Sequence, residues 1–403
     1  MRIGLAGPVR IGELHQWLDL GGSDPATLPV GLGATPVTLL ARELLRRGHE
    51  LVIATLDHGV GGETVLEGPG LRICVQPIRS AHRGRDAYRV ERRRLEATLR
   101  REAPPLVHAQ WNYEYALAAQ ASGLPTLITV HDWAPTILRW MPDPYRMARL
   151  LMFVRSLAAA RHLTTVSPYM AAHLRRWRRM TVPVVPNALE DEAFDATPRT
   201  LRAGAPTLVA INDGFTPWKN VGTLLHAYRT VRSSWPSSRL VLLGADHGPG
   251  GAAQQWAERH GLATNVEFRG RRPYPEVRML LSEADLLVHP SLEESFGMVV
   301  LEAIAQGLPV VGGHRSGAVP WVLGDGTAGT LTDVRSAPAL AKAISELLGD
   351  ATTWAARSRA AHDHAWANFR LGPAVDGYLR AYERVVAGRA ATGPAPTPAH
   401  REA

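Results

Sequence analysis

The sequence predicts an α/β protein of two doubly wound parallel-sheet domains, on three observations. Apolar runs of strand length alternate with helical patterns along the whole chain, the signature of parallel sheets covered by helices. That alternation breaks at a polar stretch, EDEAFDATPRTLRAGAP, and starts afresh beyond Pro206. Within the second half, Ala284 to Val311 reads as strand, loop, helix and strand in direct succession.

In the first half, strands are expected at Ile3 to Ala6, Leu51 to Thr55, Leu71 to Val75, Leu106 to Ala109, Thr126 to Val130, Leu163 to Val166 and Val182 to Val185. In the second they are expected at Thr207 to Ile211, Leu240 to Leu243, Val266 to Phe268, Asp285 to His289 and Pro309 to Val311. The polar stretch separates domains of residues 1–190 and 191–365. After them, residues 366–387 carry Trp366, Phe369, Tyr378 and Tyr382, an aromatic set that needs something to pack on. The tail 388–403, GRAATGPAPTPAHREA, has little to bury and is expected to be disordered.

A length of 403 residues, 45% hydrophobic and 20% charged, is that of a globular chain of two or three domains. Cys74 is the sole cysteine, so no intramolecular disulfide forms. The start, MRIGLAG, reads as a first strand and not as a secretory signal. Tyr145 to Leu163 is the most apolar long helix, but Arg146, Arg149, Arg155 and Arg161 interrupt it, so a span is not expected. The net charge of +8 is almost all arginine, since Lys219 and Lys342 are the only lysines. Basic clusters at Arg92 to Arg94 and at Arg175, Arg176, Arg178 and Arg179 around Trp177 read either as solvated helix faces or as peripheral contacts to an anionic membrane. No nucleic-acid recognition module accompanies them. A cytoplasmic location, with peripheral contact at the inner membrane face, is the expectation.

The segment HPSLEESFGMVVLEAIAQGLPVV plants Glu294 and Glu302 beside and inside an apolar helix. A carboxylate among Met298, Val299, Leu301 and Ile304 loses several kcal/mol on burial unless a polar partner meets it (about 2–7 for an unpaired polar group). Ligands of open parallel sheets bind beyond the strand ends, where the first N–H groups of the next helix suit a phosphate. Eight residues apart, the two glutamates stand about 80° apart if helical throughout, so both can flank one extended ligand. The bland alternative is that Glu294 favours a helix start and Glu302 pairs with a buried arginine.

Other candidates stand at strand ends. Gly31 and Gly33 precede an amphipathic helix and can expose amides to a pyrophosphate, though a plain loop reads as well. Their distance from the first strand excludes the tight turn of a dinucleotide-binding dehydrogenase. Lys219 lies where a strand has ended and a helix is starting, a place for neutralising a leaving phosphate or for an ordinary surface lysine. His131 and His108 each follow an apolar strand, as site residues or as structural histidines. No Asp-x-Asp pair occurs, and His362, Asp363 and His364 are too close along one helix to converge, so no bound metal is expected.

Together these residues resemble family 4 of the retaining glycosyltransferases, which have the GT-B fold of two Rossmann-like domains facing across a cleft. The resemblance runs from the Gly31 to Gly33 loop through TVSPYM, VVPNAL, the Lys219 segment and NVEFRG to the Glu294 to Glu302 segment, which matches the family's Glu-x7-Glu signature with its flanking Pro-Ser, Phe-Gly and Gly-x-Pro-Val-Val elements. It implies an acceptor-binding domain 1–190, a nucleotide-sugar-binding domain 191–365 and a helix 366–387 crossing back to the first. It implies that Glu294 holds donor-sugar hydroxyls, that Glu302 binds the ribose, and that Ser295, Phe296, Gly297, Met298 and Val299 present the sugar and diphosphate with amides. Lys219 would neutralise the leaving diphosphate, the Gly33 loop would close on it, His131 would stand beside sugar and acceptor, and the base would lie near Arg269 to Arg271.

The implied reaction moves a sugar with retention from a nucleotide-sugar co-substrate to a hydroxyl of a sugar, aminocyclitol or lipid-linked acceptor, without a cofactor, in the assembly of a cell-envelope glycan, a glycolipid or a natural product. His108 and Trp133 are candidate acceptor contacts. A sugar-nucleotide epimerase, a pseudo-glycosyltransferase or a non-catalytic binding protein on the same scaffold are the alternatives. Two positions depart from the family pattern: Gly214 stands where an arginine is common, so that one phosphate contact is missing or another residue such as Arg271 or Arg315 supplies it, and Pro320 stands where a glutamate is usual.

Overall fold

Seven strands of the first half pair into one sheet: β1 (Arg2–Ala6), β2 (Glu50–Asp57), β3 (Thr64–Gly68), β4 (Leu71–Pro77), β5 (Val107–Gln110), β6 (Thr126–Val130) and β7 (His162–Thr165). Six of the second half form another: β8 (Thr207–Ile211), β9 (Arg239–Leu243), β10 (Val266–Gly270), β11 (Leu286–His289), β12 (Val310–Gly313) and β13 (Thr330–Thr332). The computed structural model describes residues 1–194, 199–202 and 204–392. Contacts divide the chain into two compact units, one of residues 1–165 with those from Val375 onward, the other Val166–Ala374.

In the first unit the strand order is β3-β4-β2-β1-β5-β6-β7, parallel throughout except for β3, which runs antiparallel to β4. Helices cover both faces of such a sheet, so its inner strands read as continuous apolar runs instead of alternating ones. Seven of the eight residues of β2 are buried accordingly. The edge strand β3 escaped the sequence reading because TVLEG is short and half exposed. The order reverses at β1, which pairs with β2 on one side and β5 on the other, and the ends of those strands are the expected ligand mouth. Gly7 leaves β1 at this point, where a Cβ would stand 2.9 Å from the Cβ of Gln110.

The second sheet has the order β10-β9-β8-β11-β12-β13, and every pair in it is parallel. Its core packs Leu208, Ala210, Leu240, Leu242 and Val288 against Leu224, Tyr228, Ile344 and Trp354. The reversal here lies between β8 and β11.

The run Val182 to Val185 is not a strand; Val184 alone makes an isolated bridge and the rest is irregular backbone. Pro183 and Pro186 remove the N–H groups that a ladder requires. The contact-defined division falls at Thr165/Val166, ahead of the polar stretch that composition marks. The helix Pro168–Arg178 is tied into the second unit through Ser167, whose hydroxyl donates to the Ser295 carbonyl at 2.6 Å, and through a Tyr169 to Glu293 hydrogen bond. Residues 195–198 and 203 of that polar stretch lie outside the described residues.

Trp366 ends up in the helix Ala351–Asn368, and a separate helix, Leu371–Thr392, follows it. From Val375 this last helix belongs to the first unit, where Tyr378 and Tyr382 are buried. The tail expected to be disordered from residue 388 is helical as far as Thr392, and residues 393–403 lie outside the described residues.

Candidate active site

Two loops leave the second sheet on either side of its reversal, and they carry the charges. After β8 the chain turns through Lys219 into the helix Val221–Ser234; after β11 it turns through Glu294 into the helix Met298–Ala305. The Trp218 carbonyl accepts from the Leu292 amide at 2.7 Å, which stitches the loops together. Asn220 locks them further: in left-handed conformation, its side-chain amide donates to the carbonyls of Pro290 (3.1 Å) and Val334 (2.7 Å).

With the loops so fixed, the Lys219 ammonium stands 2.7 Å from Glu294 Oε1, the side chains being 14% and 18% exposed. The Trp218 ring centre is 5.1 Å from the same ammonium. His289, the last residue of β11, brings Nε2 to 3.4 Å from the same carboxylate oxygen. Burial alone would push the Glu294 carboxyl up, but the charge of Lys219 and the neighbouring His289 outweigh it and hold the group well below the usual carboxylate range. Glu294 is therefore an anion at neutral pH, fixed beside a cation.

The Glu294 backbone is clamped from below. The Ala318 amide donates to its carbonyl at 2.9 Å, and a Cβ on Gly317, at φ +63°, would lie 2.2 Å from that oxygen. Only glycine allows so close an approach. The Ser316 hydroxyl, one residue earlier, donates to the Ser291 carbonyl at 2.5 Å.

Ser295, Phe296 and Gly297 make the turn into the helix, and Met298 and Val299 open it. Gly297, at φ +98°, provides no side-chain cap, so the first N–H groups of the helix are available to an anionic ligand. The Phe296 side chain points away into a cluster with Trp321 and Phe369, at ring distances of 6.0 and 5.7 Å, and anchors the turn. Glu302 lies on the same helix and is 9% exposed. Arg271, just beyond β10, forms an exposed ion pair with Asp213 at 2.8 Å, beside Gly214. Asp213 and Arg271 thus hold a cation next to the position from which the family's arginine is missing.

The remaining candidates belong to the first unit. Gly31 and Gly33 both have positive φ, and the Gly31 amide donates to the buried Asp57 carboxylate. The loop borders a cavity of about 700 Å³ lined by Leu28, Val30, Asp57 and His58. His131 follows β6, stacks on Trp111 at 4.1 Å and has Nε2 2.5 Å from Gln110 Oε1. Burial pushes it down to about 3, so it is neutral at physiological pH. Trp111 holds φ +70°, an uncommon conformation for so bulky a residue and one that gathers at functional sites.

His108 and Trp133 are placed differently from an acceptor surface. His108 is wholly buried, with Nδ1 2.8 Å from the Tyr382 hydroxyl and Nε2 2.7 Å from Thr129 Oγ1, so both ring nitrogens are engaged. Trp133 is 7% exposed and packs edge-on against Phe153 at 5.2 Å. Neither offers a face to a ligand in this arrangement.

Sequence reasoning passed over His289, Asn212, Asn220 and Gly317. Neither His289 ring nitrogen makes a well-formed hydrogen bond, nor does the Asn212 side-chain nitrogen, although all three atoms are buried. Orphaned buried polar atoms are rare and point to a ligand or ordered water. A histidine closing an apolar strand was the available signal. Among the described residues no group of three or more His, Cys, Asp and Glu is placed to hold a metal ion.

The family described as glycosyl transferases group 1 matches residues 199–363, and that described as glycosyltransferase family 4 matches residues 34–193. The chain belongs to the family 4, group 1 glycosyltransferases. Among curated relatives of this glycosyltransferase, a D-inositol 3-phosphate glycosyltransferase of Mycolicibacterium smegmatis is 31% identical over 243 residues, 58% of this chain and 54% of the relative. One of Corynebacterium glutamicum is 31% identical over 181 residues, 43% of each chain. The match spans about half the length of these relatives.

Sucrose-phosphate synthase from Thermosynechococcus elongatus superposes with a TM-score of 0.76 at 20% identity, over 96% of this chain and 100% of that one. HepE of Anabaena, solved in complex with UDP and glucose, gives 0.66 at 18% identity over 95% and 100%. WaaG, a glycosyltransferase involved in lipopolysaccharide biosynthesis, gives 0.66 at 16% over 96% and 98%. At such identities the likeness shows the fold, which is GT-B.

Proposed function

We propose that this glycosyltransferase moves a sugar, with retention, from a nucleoside diphosphate sugar to a hydroxyl acceptor. The observation that carries the reading is the Lys219 to Glu294 pair, 2.7 Å apart across the reversal of the second sheet and next to the uncapped start of the helix Met298–Ala305. Cleaving the bond between the anomeric carbon and phosphate builds positive charge on the sugar and negative charge on the diphosphate. Lys219 and the helix amides answer the negative charge, and Glu294 fixes the sugar's hydroxyls. The acceptor oxygen bonds to the same face of the anomeric carbon, and its proton passes to the departing phosphate oxygen. Glu302 holds the ribose, Arg271 supplies charge near Gly214, and His131 stands neutral beside the sugar. No metal or cofactor takes part, and the donor's supply makes the cytoplasm the place of work.

The names of the curated relatives suggest a cyclitol phosphate as acceptor. Sugars, aminocyclitols and lipid-linked hydroxyls are the other acceptors, and Asp132 beside His131 discriminates against none of them, since burial pushes its carboxyl up and the Arg149 guanidinium faces it. The test is product analysis with a nucleotide-sugar panel against sugars, aminocyclitols and inositol phosphate. A new glycosidic bond of retained configuration supports the reading; an epimerised sugar nucleotide, or a donor that binds and never reacts, overturns it.

A further inference from the structure

The helix Pro144–Ala159 of the first unit buries Met152, Phe153, Ser156 and Leu157. A surface helix keeps its large apolar side chains on such a packed stripe and turns a polar face to water. This helix breaks the rule. Met147, Leu151 and Val154, at i, i+4 and i+7, are 46%, 65% and 37% exposed, and Tyr145 at its start is 38% exposed. Of the eleven large hydrophobics exposed among the described residues, four are therefore on one sixteen-residue helix. That is a patch and not scatter.

The surrounding charge decides what the patch meets. Arg155 lies on the same exposed side of the helix. Arg92, on the helix Arg89–Glu102, is close enough to feel it: burial, and then repulsion from Arg155, pushes the Arg92 pKa down, Asp86 opposing and Arg89 and Arg93 adding to the effect. Among the described residues none of Arg89, Arg92, Arg93 and Arg155 forms an ion pair with a carboxylate. A second copy of the chain would set this like charge against itself, whereas an anionic lipid surface neutralises it.

We propose that this face rests on an anionic membrane, with Met147, Leu151 and Val154 entering the boundary between headgroups and acyl chains and the four arginines meeting lipid phosphates. The helix lies in the plane of the surface as an amphipathic anchor does, and it is not a span. Among the described residues no helix is long and apolar enough to cross a membrane. The inference does not depend on the reaction proposed above, since the patch and its arginines belong to the first unit and Lys219 and Glu294 to the second.

The test is co-sedimentation of the full chain with vesicles of phosphatidylcholine alone and of phosphatidylcholine mixed with phosphatidylglycerol, at low and high salt. Capture is expected with phosphatidylglycerol only, and loss of it in high salt. Leu151→Asp should lower partitioning at least tenfold, and Arg92→Gln with Arg155→Gln about fivefold for each charge removed. Leu151 is exposed, so its substitution leaves the core intact, and a thermal melt of each variant checks this. Equal capture by both vesicle types, no capture, or capture that Leu151→Asp leaves unchanged would overturn the proposal. So would a dimer in solution that Leu151→Asp dissolves, because the occupant of the face would then be a second copy.

Discussion

Lys219 and Glu294 hold each other at 2.7 Å although 75 residues separate them, and His289 approaches the same carboxylate oxygen from the strand behind. Removing the ammonium leaves a buried carboxyl without its counter-charge. Lys219→Met is expected to lower kcat about 10²–10³-fold, the usual effect of losing one preorganised charge partner. The Glu294 pKa should rise in the variant, since Lys219 is what offsets burial there. Residual activity will then fall off at a higher pH than in the parent, and a kcat profile against pH reads this directly.

Nucleotide binding is separable from chemistry. UDP, GDP, ADP and dTDP, each tried with and without magnesium, should yield one strong stabiliser whose effect ignores the metal. At a hundred times its dissociation constant, a site ligand adds about 2.7 kcal/mol of stability. Glu302→Ala should abolish that shift, each melt being read against the same variant without nucleotide because Glu302 is buried in the helix. An unaltered shift would remove Glu302 from the ribose site.

Gly317 is expected to be irreplaceable. Gly317→Ala adds the strain of positive φ, roughly 1–3 kcal/mol by itself, and drives a Cβ to 2.2 Å from the Glu294 carbonyl, so its loss exceeds the strain alone. Gly250→Ala carries the same kind of backbone strain, at φ +69°, with nothing within 4 Å of its Cβ. Urea unfolding of the two variants, with nucleotide binding alongside, separates the collision from the strain. Only Gly317→Ala should also lose the diphosphate.

Acid should loosen the first unit through two histidines. His108 and His131 are each pushed down to about 3 from an ordinary 6.5, chiefly by burial. Between those values the unfolded chain holds protons that the folded one does not, so stability falls as pH falls through the window. The slope is about 1.4 kcal/mol per pH unit for each histidine. Urea midpoints should fall steadily as pH falls across that range, and His108→Gln should make the slope shallower. A flat profile would mean that both rings protonate without unfolding.

The parallel strands were legible because helices cover both faces and each inner strand becomes an apolar run. β3 and β13 were not, being edge strands of five and three residues with little apolar content. Val182 to Val185 misled because apolar composition outweighed two prolines. Within the candidate site, Glu294 and Glu302 were readable as carboxylates beside and inside an apolar helix, and Lys219 as a cation where a strand ends and a helix starts. His289, Asn212 and Asn220 were not, because their importance comes from strand order: β8 and β11 are neighbours in the sheet though far apart in sequence. His108 looked like a site residue for the converse reason. The hydroxyl that engages it arrives on a helix 274 residues away.

That last contact bears on biogenesis. Tyr382 engages His108 in the first unit, yet the ribosome must build the whole second unit before Tyr382 exists. Until then the nascent first unit carries an open seam at the site of its most buried histidine. Such a unit cannot be a finished folding intermediate, and its exposed apolar seam is the kind of surface that chaperones hold. A chain stopped short of Val375 should therefore emerge as one sound unit joined to one that never closes.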